Sequence, residues 1–194
     1  MNLQADYQPI TEMRAVLAQE GKKYAFTATN KEQALEWQAK LRAELGRIVG
    51  FLDSPRVDPA PEVLLEVDRG DFLMRKVAIN TSPSAKMPVY ILIPKGVEGP
   101  LPTVLAYAGH GNGVRDIVGV NADGSVREPN QGGYVDFAVS LCKQGVCVMA
   151  PEIAGFGERL QNEHPINKEK TKAPKTCHEM ATWAFMLGKS AIGM

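Results

Sequence analysis

The spacing of apolar positions changes twice along the chain, and each change marks a different kind of element. Residues 1–30 are polar and weakly patterned, with a short helix expected at Ile10–Gln19. Residues 31–194 read as one further domain. Trp37, Leu41, Leu45, Ile48 and Leu52 recur at steps of three or four, so they share one face of a helix and form a core-facing stripe. Asn30 is its expected N-cap, with Gln33 three residues on to complete a capping box. Asp53–Pro61, with three prolines, breaks the helix.

The period then shortens to two. Val63–Asp68, Phe72–Asn80 and Met87–Pro94 are expected strands, separated by turns at Arg69–Asp71 and Thr81–Lys86. Short turns between strands make an antiparallel meander.

Alternation is lost at Val104–Ala108, an almost unbroken apolar run of the kind buried on both faces of a parallel sheet. Gly109–Gly113 (GHGNG) follows, then a long polar loop, Val114–Gln131. A helix is expected at Tyr134–Gln144, with Phe137, Ala138, Leu141 and Cys142 on one face and Gly145 ending it. Val146–Ala150 is a short strand, Pro151–Arg159 a loop and Gln161–Lys175 a charged excursion. Thr176 and Glu179 form a second expected capping box, opening a helix through Leu187 that buries Met180, Ala184 and Leu187. The fold class is therefore α/β: an antiparallel meander followed by a parallel βαβ unit with crossover helices.

Composition narrows this picture only modestly. The 194 residues are 44% apolar and 23% charged, an ordinary globular balance. Lys plus Arg equals Asp plus Glu at 22 each, which gives no electrostatic reason to expect nucleic acid or an anionic membrane surface. The N-terminus lacks the basic and apolar regions of a signal peptide, and no apolar run is long enough to span a bilayer. The three cysteines, Cys142, Cys147 and Cys177, are odd in number and lack metal-ligand spacing, so a reduced, cytoplasmic protein is expected. The three histidines and the acids show no ligand spacing either, so no metal or cofactor is expected.

The candidate chemistry lies in the glycine-rich segments. His110 sits among Gly109, Gly111 and Gly113, where two readings stand: an anion-binding loop with free N–H groups, or an ordinary turn. A dinucleotide fingerprint fails, because Val114 stands where the third glycine is needed. Gly155-Phe156-Gly157 follows a parallel strand, where Phe156 either lines a ligand crevice or packs a tight loop. Glu152 and Arg159 could pair as ions. Cys177 and His178 are adjacent on a helix and do not face each other, and His164 is expected at the surface.

The meander, the strand into YAGHGNG, the helix YVDFAVSLCKQG, the strand VCVMAPE, the loop AGFGER and the late LGKSAIGM together resemble one family. They are similar to the N-terminal half of an α/β-hydrolase of the dienelactone-hydrolase and acetyl-xylan-esterase-like type, over residues 30–194. The resemblance implies that Gly109–Gly113 is half of an oxyanion hole, with the Asn112 N–H as donor, Gly111 as the second choice and His110 as a structural residue. It also implies a pocket near Phe156, a supporting place for Ser190, and a small-molecule carboxylic ester as substrate. In that family the nucleophile elbow, G-x-S-x-G, follows a later strand. Here the elbow is absent: Gly188–Gly193 reads G-x-S-x-x-G and follows a helix. The expectation is a partial, inactive ester hydrolase lacking its Ser–acid–His triad. The alternative is a non-catalytic half-domain whose last parallel strand leaves an open edge for self-association or a partner chain.

Overall fold

A computed structural model describes residues 7–20, 23–50, 55–128, 134–161 and 176–193. Two units are distinguished, Met1–Leu52 and Asp53–Met194.

The first unit holds helices α1 (Pro9–Glu20) and α2 (Lys31–Val49). Asn30 caps α2 as expected, its Oδ1 accepting the Gln33 N–H at 2.9 Å. The return bond of the capping box shifts by one residue: Gln33 Oε1 accepts from Thr29 N–H at 2.9 Å. The stripe on α2 is covered only at its start. Trp37 packs edge-on against Phe26, ring centroids 4.9 Å apart, and donates from Nε1 to the Tyr24 carbonyl. Leu45 and Ile48 are exposed, contrary to the expected core-facing stripe, because the covering segment reaches only the N-terminal turns of the helix. Leu52 and His164 lie outside the described residues.

The second unit is built on a five-stranded sheet. Strands β1 (Glu62–Asp68), β2 (Phe72–Ser82) and β3 (Ala85–Pro94) form the expected meander. β4 (Thr103–Leu105) and β5 (Cys147–Pro151) pair in parallel, and the order is β1-β2-β3-β5-β4. The later strand β5 is thus inserted between β3 and β4. The open edge falls on β4, not on the last strand in sequence.

That insertion corrects the reading of Val104–Ala108. Ala106 and Ala108 are buried, but Val104, Leu105 and Tyr107 are exposed, because the sheet ends at β4. The Ala106 N–H still bonds the Met149 carbonyl at 2.9 Å, so pairing with β5 runs one residue past the strand.

The first part of the expected polar loop, Val114–Val120, is instead part of the core, while residues 121–128 lie mostly at the surface as expected and 129–131 lie outside the described residues. Helix α3 (Arg115–Val118) sits in that first part, and Val114, Ile117, Val118 and Val120 are almost completely buried with Phe72, Met74, Leu92 and Val148. Helix α4 (Phe137–Cys142) is shorter than expected and buries Ala138 and Cys142. Its entry is fixed by Asp136, which has a left-handed backbone (φ 49) and pairs with Arg127. Helix α5 (Cys177–Met186) buries Ala184, but Leu187 is exposed. Thr176 does not cap α5: its hydroxyl accepts from the Gln161 N–H at 3.2 Å, so the expected capping box gives way to a loop contact. Among the described residues, no helix is long and apolar enough to cross a membrane.

Candidate functional site

Because β4 and β5 are parallel, the loops that follow them emerge at the same end of the sheet. In open α/β sheets that carboxyl end is where ligands bind. The loop after β4 is Gly109–Gly113; the loop after β5 runs from Glu152 to Arg159. They meet directly. The His110 imidazole stands edge-on against the Phe156 ring, centroids 5.3 Å apart. The His110 carbonyl accepts from Tyr134 Oη at 2.9 Å, which holds the loop from its other side.

The amides of this loop are divided between two acids. The Asn112 N–H, the expected oxyanion donor, is given to Asp116 Oδ2 at 2.8 Å, and Asn112 Nδ2 bonds Asp116 Oδ1 at 3.1 Å. The expectation of a free Asn112 amide is therefore not met in this structure. Asp116 is buried and paired with Arg127 at 3.2 Å, and Arg127 also pairs with the buried Asp136. Among the described residues, the Gly111 N–H has no hydrogen-bond acceptor.

The second acid is Glu152, the residue after β5, and it is fully buried. Its Oε1 accepts the Val114 N–H at 3.0 Å, and its Oε2 accepts the Glu158 N–H at 3.4 Å. Burial pushes its carboxyl up to about 7; the two N–H bonds and Arg115 pull the other way, and the neighbouring Glu158 raises it further. The carboxylate makes no ion pair with Arg159, which instead donates from Nη1 to the Glu152 carbonyl at 3.3 Å. The sequence placed Glu152 in this loop but gave no sign of its contact with Val114, which lies far away along the chain.

Beside these loops lies an apolar cavity of about 740 Å³, lined by Met87, Tyr107, Ile153, Phe156 and Met180, with His110 and Arg159 among its polar walls. Phe156 therefore lines the cavity and is also buried against His110. The two sequence readings of Phe156 describe one position. Ala191 and Ile192 reach the cavity wall. Ser190 precedes a 3-10 turn and accepts the Gly193 N–H on Oγ at 3.2 Å, so it follows a helix and not a strand. Cys177 and His178 line the same cavity from α5.

A protein-family model described as the Abhydrolase family matches residues 10–189. A candidate acetyl xylan esterase from Bacteroides fragilis NCTC 9343 has a similar fold: TM-score 0.78 at 20% identity, covering 99% of this chain and 49% of that one. Acetyl Xylan Esterase 1 from Thermoanaerobacterium sp. JW/SL YS485 matches at 17% identity over 66% of this chain and 33% of that one, with a TM-score of only 0.37. No curated protein sequence matches. The chain thus spans about half the length of the Bacteroides structure that it resembles.

Proposed function

The chain belongs to the Abhydrolase family, and from that premise we propose that it is part of a carboxylic ester hydrolase of the acetyl-xylan-esterase-like kind. The observation that carries the reading is the meeting of the His-Gly loop and an apolar cavity at the carboxyl ends of two parallel strands. In this reading, Gly109–Gly113 supplies an amide to the oxyanion that forms when an ester carbonyl is attacked. With the Asn112 N–H engaged by Asp116, the Gly111 N–H is the donor we assign. His110 shapes the loop through its contact with Phe156 and is a structural residue, not the base. The cavity beside Phe156 accepts the acyl or alcohol group of a small ester.

The attacking serine, its base and its acid are proposed to come from polypeptide other than these 194 residues, because no G-x-S-x-G occurs in them. The test is hydrolysis of p-nitrophenyl acetate. The 194-residue chain should give none. A longer polypeptide carrying G-x-S-x-G after a further strand should give turnover that a fluorophosphonate blocks. Fluorophosphonate-sensitive turnover by the 194-residue chain would reveal a nucleophile within it. A longer, folded form without any esterase activity would remove the ester-hydrolase reading.

The exposed apolar edge favours a second reading, a half-domain that completes its sheet with another chain. Val104, Leu105 and Tyr107 lie open at β4, the terminal strand. Light scattering on the isolated chain should then give a mass above the monomer's. A soluble monomer with one cooperative unfolding transition counts against it.

A further inference from the structure

A buried acid is a costly choice for a loop junction. An ionised carboxylate taken out of water is tolerated only where hydrogen bonds replace its hydration. Glu152 is fully buried, yet both of its oxygens are spent on backbone N–H groups of two separate loops, Val114 at 3.0 Å and Glu158 at 3.4 Å. Its own main chain is clamped as well. The Glu152 N–H bonds the Pro88 carbonyl at 3.0 Å on β3, and its carbonyl accepts from Arg159.

The approach is possible because two glycines flank the carboxylate. A Cβ on Gly113 would overlap Glu152 Oε1, and a Cβ on Gly157 would overlap Oε2. Both glycines also have left-handed backbones, φ 74 and φ 49. Glycine at each site meets two demands: the backbone turn, and room for the acid.

We propose that Glu152 is a positioning residue: its buried carboxylate joins the Gly113–Val114 and Gly157–Glu158 segments into one frame, and so fixes the direction in which the Gly109–Gly113 loop presents its amides. Asp116 holds the loop two residues earlier, at Asn112. Between the two acids, Gly113 is held at both ends, while the His110–Gly111 peptide is held by Tyr134 Oη on the His110 carbonyl. The catalytic meaning of this frame rests on the ester-hydrolase reading; the frame itself does not.

The test is amide exchange and amide chemical shift by NMR on the 194-residue chain. In Glu152→Ala, exchange at Val114 and Glu158 should quicken about tenfold or more, while Met74 and Leu92 in the sheet keep their rates. In the wild type, the Val114 amide shift should move with pH as the carboxyl ionises. In Glu152→Gln, a near-isostere that can still accept a bond, Val114 should stay protected but lose that pH response. Unchanged exchange at Val114 in Glu152→Ala overturns the proposal, as does exchange that quickens equally at Val114, Met74 and Leu92. A Val114 titration that persists in Glu152→Gln overturns it too, and that variant decides the matter if the alanine variant does not fold. None of these readouts needs turnover, so a failed esterase assay leaves them standing, and their failure leaves the esterase assay standing.

Discussion

At the scale of single residues, the site depends on where carboxylates are buried. Glu152 holds its proton up to about 7 in the folded chain, whereas an unfolded glutamate releases it near 4.5. Between those values the folded state binds more protons than the unfolded one. This group's contribution to stability is therefore complete below about 4.5 and is lost as pH rises through about 7. The loss is of the order of 3 kcal/mol at most. Urea unfolding of the wild type and Glu152→Gln between pH 4.5 and 8 should show it: the wild type loses stability relative to the variant as pH rises. Parallel curves would mean that the carboxyl titrates as it would in water. The Asp116–Arg127–Asp136 cluster works differently. Each of its acids has a cationic partner, and its effect on the site is to draw the Asn112 amide inward. The glycines and His110 could be read from the sequence. The assignment of amides could not, because it depends on acids that come close only after the chain has folded.

At the scale of elements, β4 is the strand most different from its sequence. It lies at the sheet edge with Leu105 60% exposed, so a charge there should be tolerated by the fold. Leu105→Lys should reduce any self-association of the chain, read by light scattering, while leaving the thermal midpoint within a few degrees. A fall in midpoint of ten degrees or more would show that Leu105 is held by contacts within the monomer. The meander and β5 were legible because local rules set them: alternation in Phe72–Asn80, turn residues at Arg69–Asp71, and a short apolar run ending in proline. Val104–Ala108 misled because an apolar run says that a strand has something to bury, not which neighbour will cover it. The Val114–Val120 stretch misled in the opposite sense. Its three valines and one isoleucine are the buried hub, but glycine, arginine and aspartate between them gave a polar appearance. Arg115 and Asp116 are accommodated there because the polar end of each finds partners: Arg115 reaches the Ala122 carbonyl, and Asp116 takes Asn112 and Arg127.

At the scale of the whole molecule, the strand order has a bearing on synthesis. The ribosome delivers the meander first, and β2 and β3 can pair across a two-residue turn as soon as they emerge. β4 comes next but cannot join them, because the place beside β3 belongs to β5. The free side of β3 therefore waits until Cys147–Pro151 has been made, and β4 waits with it. The His-Gly loop is translated early but gains its shape late, when Glu152 arrives just behind β5 and takes the Val114 amide. A nascent chain stalled before Cys147 would thus carry every residue of the loop and none of its architecture, with two apolar strand edges exposed to chaperones.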